Sequence, residues 1–273
     1  MKKHKRLILI ALLCISFGSL VYFSVRLGIN IMTKAQVEAF YSALPSPVVP
    51  AKRVPSSRPA AVTPSAGQTP IENGDDNGEE TPEPVWTPAL DFGALREEMP
   101  DLIAWLLIEG TPINYPIVHG GDNAYYLNHL PNRERNPMGS VFLDYRNPPD
   151  FSYPNSLIYG HYSSSGEMFA ALHSYRTASF FENHSLAWIF TPEADYMIEI
   201  FAAYVVNSAY EVPPMTFAGD DVFDTYIQNI KRRSAFTADI TVNPGDRLVS
   251  LATCEYSVDH GLGRLIVVGR IVD

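Results

Sequence analysis

Cysteine is scarce in this chain of 273 residues, which contains only Cys14 and Cys254. Cys14 lies in an apolar run near the N-terminus, so the two thiols are not expected to pair, and a disulfide framework is excluded. No Cys/His cluster has the spacing of zinc ligands, so we expect no metal site, and no cofactor is implied. If the later part of the chain faces the cell exterior, the lone thiol of Cys254 is unusual there and indicates a reactive role.

Positive charge is scarce after residue 90. Residues 91–273 contain 11 Lys and Arg against 23 Asp and Glu, a formal net charge of −12. Binding to phosphate groups requires clustered positive charge. This part of the chain is therefore not expected to bind nucleic acid or an anionic lipid surface.

The N-terminus has the pattern of a membrane anchor. Residues 1–6 are basic, and residues 7–25 form a run of 19 without a charge, enough to span a bilayer core of about 30 Å. The run does not end in a small-x-small cleavage site, which favours an uncleaved signal anchor over a cleaved signal peptide. Because four Lys/Arg precede the run, we expect a cytoplasmic N-terminus, a single pass through the cell membrane and an extracellular remainder.

Residues 26–88 are predicted to form a juxtamembrane helix followed by a spacer. Thr33 is a suitable N-cap for a short helix that runs to Ala43. Ten of the 22 prolines then lie between Pro45 and Pro88, around an acidic stretch with almost no apolar residues. Such a segment cannot bury enough surface to offset its ordering entropy, so we expect a disordered spacer that holds the next domain away from the membrane.

The folded domain is expected over residues 89–273. Apolar side chains at helical spacing over residues 91–108, with a break at Pro100, predict one kinked helix or two short ones. Residues 220–233 are amphipathic and predict a surface helix packed on a sheet. Shorter helices are expected at residues 123–129 and 167–175, and strands at residues 113–118, 140–145, 156–159, 187–190, 196–206, 248–251 and 265–268. Seven or eight short strands, few of them separated by full helices, favour a mainly β fold with flanking helices, a mixed or antiparallel barrel.

The last two predicted strands bring Cys254, at the end of one, near Arg264, at the start of the other. A neighbouring fixed positive charge favours the thiolate form of a thiol, which is the attacking species. A small buried apolar Cys beside an unrelated surface Arg fits this stretch equally well. A thiolate also needs a proton shuttle, and His161 follows a buried strand in the same kind of position as Cys254. The other histidines beyond the N-terminal tail are expected to have solvated or capping roles: His119, His129, His173, His184 and His260.

Several stretches together resemble the class B sortases, the membrane-anchored cysteine transpeptidases of Gram-positive bacteria. Thr253-Cys254 with Arg264, together with Tyr159-Gly160-His161, resembles their catalytic pattern. Further resemblances, in the order of the family, are carried by residues 105–118, 122–127, 139–147 and 155–161.

The resemblance implies an eight-stranded sortase-type β-barrel, preceded by a transmembrane helix and a disordered linker. It implies Cys254 as nucleophile, His161 as general acid and base, and Arg264 as ligand of the substrate and its oxyanion. The implied reaction cleaves a C-terminal sorting signal of the Asn-Pro-x-Thr kind after Thr, through a thioacyl-enzyme, and transfers the surface protein to an amine of peptidoglycan or of a pilin. Four more residues are implied to bind the signal: Asn123, Leu127, Thr253 and Glu255.

One position departs from the family pattern. Members often have Thr-Leu-Ser-Thr-Cys where this chain has Ser250-Leu-Ala-Thr-Cys254, so Ala252 lacks a hydroxyl that a substrate could contact. Three other functions stay open: a pilin-polymerising sortase, a membrane-tethered cysteine peptidase that releases its product to water, and a wall-spanning scaffold protein with an inert barrel.

Overall fold

The computed structural model describes residues 2–49, 88–255 and 262–272, with no side-chain detail for residues 2–14 or for Glu255. Most of the predicted spacer lies outside the described residues, as do His260 and the side chain of Cys14. The described chain consists of a long N-terminal helix and a β-barrel with helices on its outer surface.

A single helix, α1, runs from Lys2 to Ala43. The prediction of a separate helix capped by Thr33 is wrong, because no proline precedes Pro45 and the helix continues through this region without a break. Within α1, the 29 residues Ile15–Ala43 are long and apolar enough to cross a membrane. Length and composition of this kind are found both in membrane anchors and in signal sequences.

Eight strands form the barrel: β1 Leu102–Leu107, β2 Asn114–His119, β3 Val141–Leu143, β4 Asn155–Tyr159, β5 Leu186–Phe190, β6 Asp195–Asn207, β7 Leu248–Glu255 and β8 Gly263–Val272. They close in the order β1, β2, β3, β4, β7, β8, β6, β5. The β2–β3 and β4–β7 pairs are parallel and the remaining pairs are antiparallel. The predicted mixed barrel of eight strands is therefore confirmed.

The helices beside the barrel are α2 Phe92–Glu98, α3 Ala178–Asn183 and α4 Asp220–Arg233, with two 3₁₀ helices at Tyr125–Leu127 and Phe169–Arg176. The predicted amphipathic helix is α4. The predicted helix over residues 91–108 is wrong in its second half, which is β1. Because β1 pairs with β2 and β5 and is buried on both faces, its apolar residues do not show the alternation that marks a strand.

The apolar core has an interior part and two outer parts. One cluster draws residues from all eight strands and fills the barrel, among them Leu106, Ile117 and Val267. A second cluster lies on the outer face of β4, β6, β7 and β8, where α4 contributes Phe223, Ile227 and Ile230. A third covers β1 and β5 on the outside. Strands β4, β6, β7 and β8 are therefore buried on both faces, between the barrel interior and the cluster beneath α4.

The end of α1 packs on the barrel. Val37 is 3% exposed, and Lys34 Nζ forms an ion pair with Glu167 Oε1 at 3.0 Å. Residues on both sides of the segment 50–87 join the outer cluster of β1 and β5: Phe40, Leu44, Val49, Ala89, Leu90 and Phe92. Both flanks of the segment 50–87 thus lie on one side of the barrel.

Candidate active site

The pairing of three neighbouring strands aligns His161, Cys254 and Arg264. In the antiparallel β7–β8 pair, Cys254 lies directly opposite Arg264. The parallel register of β4 and β7 continues past the end of β4, where the Gly160 N–H donates to the Ala252 carbonyl at 3.1 Å. The same register, extended by two residues beyond the Tyr159–Ala252 pair, places His161 beside Cys254. The three predicted catalytic residues therefore lie side by side on β4, β7 and β8.

Alternation along the strands places this group on the outer face of the barrel. On β7, Leu251 belongs to the interior cluster, whereas Ala252 belongs to the outer cluster beneath α4. Cys254 lies two residues beyond Ala252 and so points to the same outer side. Arg264 shares its side of β8 with Ile266, which is also part of the outer cluster.

A groove of about 360 Å³ opens at this end of the outer face. Its volume lies within the range of ligand-binding clefts, roughly 300–1,000 Å³. The groove contains the three predicted catalytic residues and three of the four predicted signal-binding residues. Its lining is formed by Asn123, Leu127, Phe142, Tyr159, Gly160, His161, Ala252, Thr253, Cys254 and Arg264.

Cys254 and Arg264 are both half-buried at the groove. The thiol of Cys254 is free of any disulfide. The Arg264 guanidinium donates from Nη1 to the Gly263 carbonyl at 2.7 Å, which holds it close to the start of β8. A partly accessible thiol opposite a fixed cation can carry out nucleophilic chemistry, because the cation stabilises negative charge on the sulfur or on an oxygen bound near it.

The imidazole of His161 is held through its Nε2 atom. Nε2 lies 2.6 Å from the carbonyl oxygen of Leu127 in the first 3₁₀ helix. A carbonyl oxygen only accepts hydrogen bonds, so Nε2 carries a hydrogen and Nδ1 is the nitrogen left for proton exchange. Leu127, which the resemblance placed in the groove, therefore also orients the candidate acid and base.

Asn123 lines the groove, but both polar atoms of its amide are engaged within the protein. Nδ2 donates to Asp144 Oδ2 at 2.9 Å, and Oδ1 accepts from the Tyr145 N–H at 3.0 Å. Asp144 is fully buried and also accepts from the Tyr159 hydroxyl at 3.0 Å and from Arg146. Burial acts to raise the pKa of Asp144, but hydrogen bonds, led by those from Arg146, outweigh it and hold the pKa below its ordinary value.

Asp144 therefore ties Asn123 to β4 across one wall of the groove. This role of Asp144 was not predicted from the sequence. The one local signal is an acidic residue directly after the apolar strand β3, which indicates a buried and partnered carboxylate.

The remaining predicted signal-binding residues have different surroundings. Thr253 alternates with Cys254 and so faces the barrel interior, where it is 2% exposed and its Oγ1 has no hydrogen-bond partner within the described part of the chain. Thr253 therefore reaches the groove with its main chain. Ala252 presents a methyl group to the groove. Glu255 lies opposite Gly263 at the end of β7, and its side chain lies outside the described residues.

His173 contacts the main chain of Cys254, although the sequence analysis placed it among the solvated or capping histidines. Its Nε2 lies 2.9 Å from the Cys254 carbonyl oxygen, and its ring packs against Tyr162 with 4.6 Å between ring centroids. Because 81 residues separate the two partners, no local pattern signals this contact. By contrast, His129 and His184 each donate from Nδ1 to a carbonyl four residues earlier, in line with the capping role predicted for them.

Comparison with known proteins identifies the family of this fold and site. The sortase domain model matches residues 106–272. Sortase B of Listeria monocytogenes is 35% identical over 187 residues, covering 66% of this chain and 76% of that protein. Sortase B of Staphylococcus aureus is 30% identical over 181 residues, covering 66% of this chain and 74% of that protein.

Solved structures of sortase B share the barrel. The Staphylococcus aureus sortase B–substrate complex matches with a TM-score of 0.63 and 30% identity, over 67% of this chain and 84% of that one. Sortase B from Bacillus anthracis matches with a TM-score of 0.61 and 32% identity, over the same shares of the two chains. The matched domain contains His161, Cys254 and Arg264, and the chain therefore belongs to the sortase family and, within it, to class B.

Proposed function

We propose that this class B sortase is a membrane-anchored cysteine transpeptidase that cleaves an Asn-Pro-x-Thr-type C-terminal sorting signal after Thr and transfers the surface protein to a peptidoglycan amine. The observation that carries the proposal is the strand pairing that brings His161, Cys254 and Arg264 to one groove. The substrate complex of the similar Staphylococcus aureus sortase B supports a peptide as the occupant of this groove.

In the first half of the reaction, the thiolate of Cys254 attacks the carbonyl carbon of the signal's Thr. Arg264 donates hydrogen bonds to the oxygen on which negative charge develops. His161 donates a proton to the leaving amine as the peptide C–N bond breaks. The products are a thioacyl-enzyme and the released C-terminal fragment.

In the second half, the acceptor amine attacks the thioester carbon. His161 accepts a proton from the amine, a new C–N bond forms, and the C–S bond breaks to restore Cys254. The imidazole that gives a proton to the leaving amine thus regains a proton from the acceptor amine, which restores His161 for the next cycle.

We propose that residues 1–6 are a cytoplasmic tail, 7–25 a signal anchor, 26–88 a juxtamembrane helix and spacer, and 89–273 an extracellular catalytic domain. The apolar stretch of α1 supports the anchor. The basic residues that precede it favour a cytoplasmic N-terminus.

The test is product analysis of the purified full-length chain with a sorting-signal peptide, with and without triglycine as the amine. We expect a peptide–triglycine product, and a thioacyl-enzyme on Cys254 detected by mass spectrometry. Cys254→Ala should abolish cleavage, whereas Cys14→Ser should preserve it because Cys14 lies in α1. Cleavage retained by Cys254→Ala contradicts the mechanism, and hydrolysis alone in the presence of amine identifies a peptidase.

A second variant tests the role of Arg264. Arg264→Lys keeps the charge but replaces a planar fork of donors by a single ammonium group. We expect kcat to fall on the order of 10²-fold, the usual effect of losing a hydrogen-bond donor to an oxyanion. Near-full activity of Arg264→Lys would leave the oxyanion role without support.

A further inference from the structure

The second 3₁₀ helix, Phe169–Arg176, contacts the main chains of both His161 and Cys254. Its first residue, Phe169, donates its N–H to the His161 carbonyl at 2.9 Å. Four residues later, His173 Nε2 lies 2.9 Å from the Cys254 carbonyl. Because a carbonyl only accepts, His173 is the donor in this hydrogen bond. One short helix is therefore bonded to the main chains of both the candidate nucleophile and the candidate acid and base.

The position of the His173 bond in the sheet explains why a side chain is needed there. Along β7, the carbonyls of Ala252 and Cys254 point to the same edge of the strand, because the direction of the backbone carbonyls alternates from one residue to the next. The Ala252 carbonyl accepts from Gly160, which is the last β4–β7 ladder bond. Beyond Gly160 the chain turns away into the loop closed by the Tyr162–Met168 bridge.

If β4 continued beyond Gly160, one of its main-chain N–H groups would donate to the Cys254 carbonyl. His173 supplies that donor instead, so the end of β7 stays fixed after its neighbour strand has left. On its other edge, Cys254 is paired with Arg264 on β8. The candidate nucleophile is thus held from both sides, by a strand on one side and by a histidine side chain on the other.

We propose that His173 is a positioning residue, which acts through the main chain of Cys254 and sets its placement relative to His161. The inference rests on the proposed function for its consequence in catalysis. Loss of the bond should let the end of β7 move, and displacements on the order of 1 Å at a reacting group cost up to about 10²-fold in rate. Substrate binding along the rest of the groove should change little.

The experiment compares His173→Ala and His173→Gln with a matched control, His184→Ala, all in full-length protein that also carries Cys14→Ser, so that Cys254 is the single thiol. His184 is likewise half-buried and bonded to a carbonyl, but its partner Phe180 does not line the groove, whereas Cys254 does. We expect His173→Ala to lower kcat by about ten-fold and to leave KM within about two-fold of the parent value. His173→Gln should regain most of the rate, because its amide still donates, and His184→Ala should keep the parent value.

A second readout is the rate of alkylation of Cys254 by iodoacetamide as a function of pH. It requires no sorting peptide, so a parent protein that fails to transfer peptides is distinguished from a failure of this inference. We expect the profile of His173→Ala to differ from the parent profile, because movement of the end of β7 changes the placement of the Cys254 thiol relative to His161 and Arg264. The inference is overturned if His173→Ala keeps the parent profile and kcat, if His184→Ala is equally impaired, or if His173→Gln is no better than His173→Ala.

Discussion

Gly160, between β4 and His161, occupies a position where no side chain fits. An added Cβ would lie 2.6 Å from the ring of Phe169, which is itself fully buried and cannot move aside. The requirement is for space and not for an unusual backbone conformation, since Gly160 is not among the described residues with positive φ. The same close contact brings the second 3₁₀ helix against the residue before the candidate acid and base.

Gly160→Ala is therefore expected to destabilise the protein and to displace His161. Overpacking of this kind costs about 1–3 kcal/mol in the free energy of unfolding, and the displacement should lower kcat as well. Thermal unfolding and steady-state kinetics measure the two effects. The control is Gly121→Ala, since a Cβ at Gly121 meets no atom within 4 Å; equal stability of the two variants would contradict the prediction.

Between elements, Glu167 joins α1 to the loop that follows His161. Its Oε1 pairs with Lys34 on α1, and its Oε2 accepts hydrogen bonds from Ser163 at 2.8 Å and from Ser165. Burial acts to raise the pKa of Glu167, but the hydrogen bonds from Ser165, Lys34 and Ser163 outweigh it and lower the pKa to about 2. The carboxylate thus links α1 to the loop that follows His161, the candidate acid and base.

The lowered pKa makes this link depend on pH. A carboxylate whose pKa falls on folding stabilises the protein above its unfolded pKa, here 4.5, and the contribution is lost as the pH falls from there to about 2. Glu167→Gln should lower the free energy of unfolding at pH 7 by about 1–2 kcal/mol. In Glu167→Gln, the free energy of unfolding should also decrease less than in the parent as the pH is lowered.

Denaturant unfolding between pH 3 and pH 7 measures both effects. Glu193→Gln, at an exposed position in the β5–β6 turn, serves as the control and should match the parent. An unchanged dependence on pH in Glu167→Gln would refute a stabilising role of this carboxylate.

Across the chain as a whole, the end of α1 and the start of the folded domain belong to one packed unit. Phe40 and Val49 before the segment 50–87, and Leu90 after it, lie on the same outer cluster. The orientation of the groove relative to the apolar stretch of α1 is therefore set by this packing, because α1 is continuous from that stretch to the barrel.

Replacing residues 50–87 by a Gly/Ser linker of about 15 residues, with an average span of roughly 20 Å, should leave thermal stability and peptide transfer within about two-fold of the parent. In cells, anchoring of a reporter with a sorting signal should also be unchanged. Val37→Asp is the contrasting variant, since it places a charge at a contact that is 3% exposed and should lower the melting temperature. Anchoring that declines as the linker is shortened would show that the segment provides reach.

Much of the barrel follows from local patterns. Helix α4 and the β5–β6 hairpin have the periodicity of their secondary structure, and both were predicted near their observed bounds. β1 was predicted as a helix because burial on both faces removes the period of two. The continuity of α1 past Thr33 was also missed, since a good N-cap residue within an unbroken helix does not start a new one.

The sequence alone was enough to predict the chemical groups of the candidate site and to show the acidic character of residues 91–273, the apolar N-terminal run and the resemblance to class B sortases. These are properties of residue type, short-range spacing and order along the chain. Only the tertiary structure decided that Asn123 is engaged by Asp144, that Thr253 faces the interior, that His173 holds Cys254 and that α1 docks on the barrel. These contacts depend on strand register and helix packing between distant segments, and neither is encoded in the periodicity of one segment.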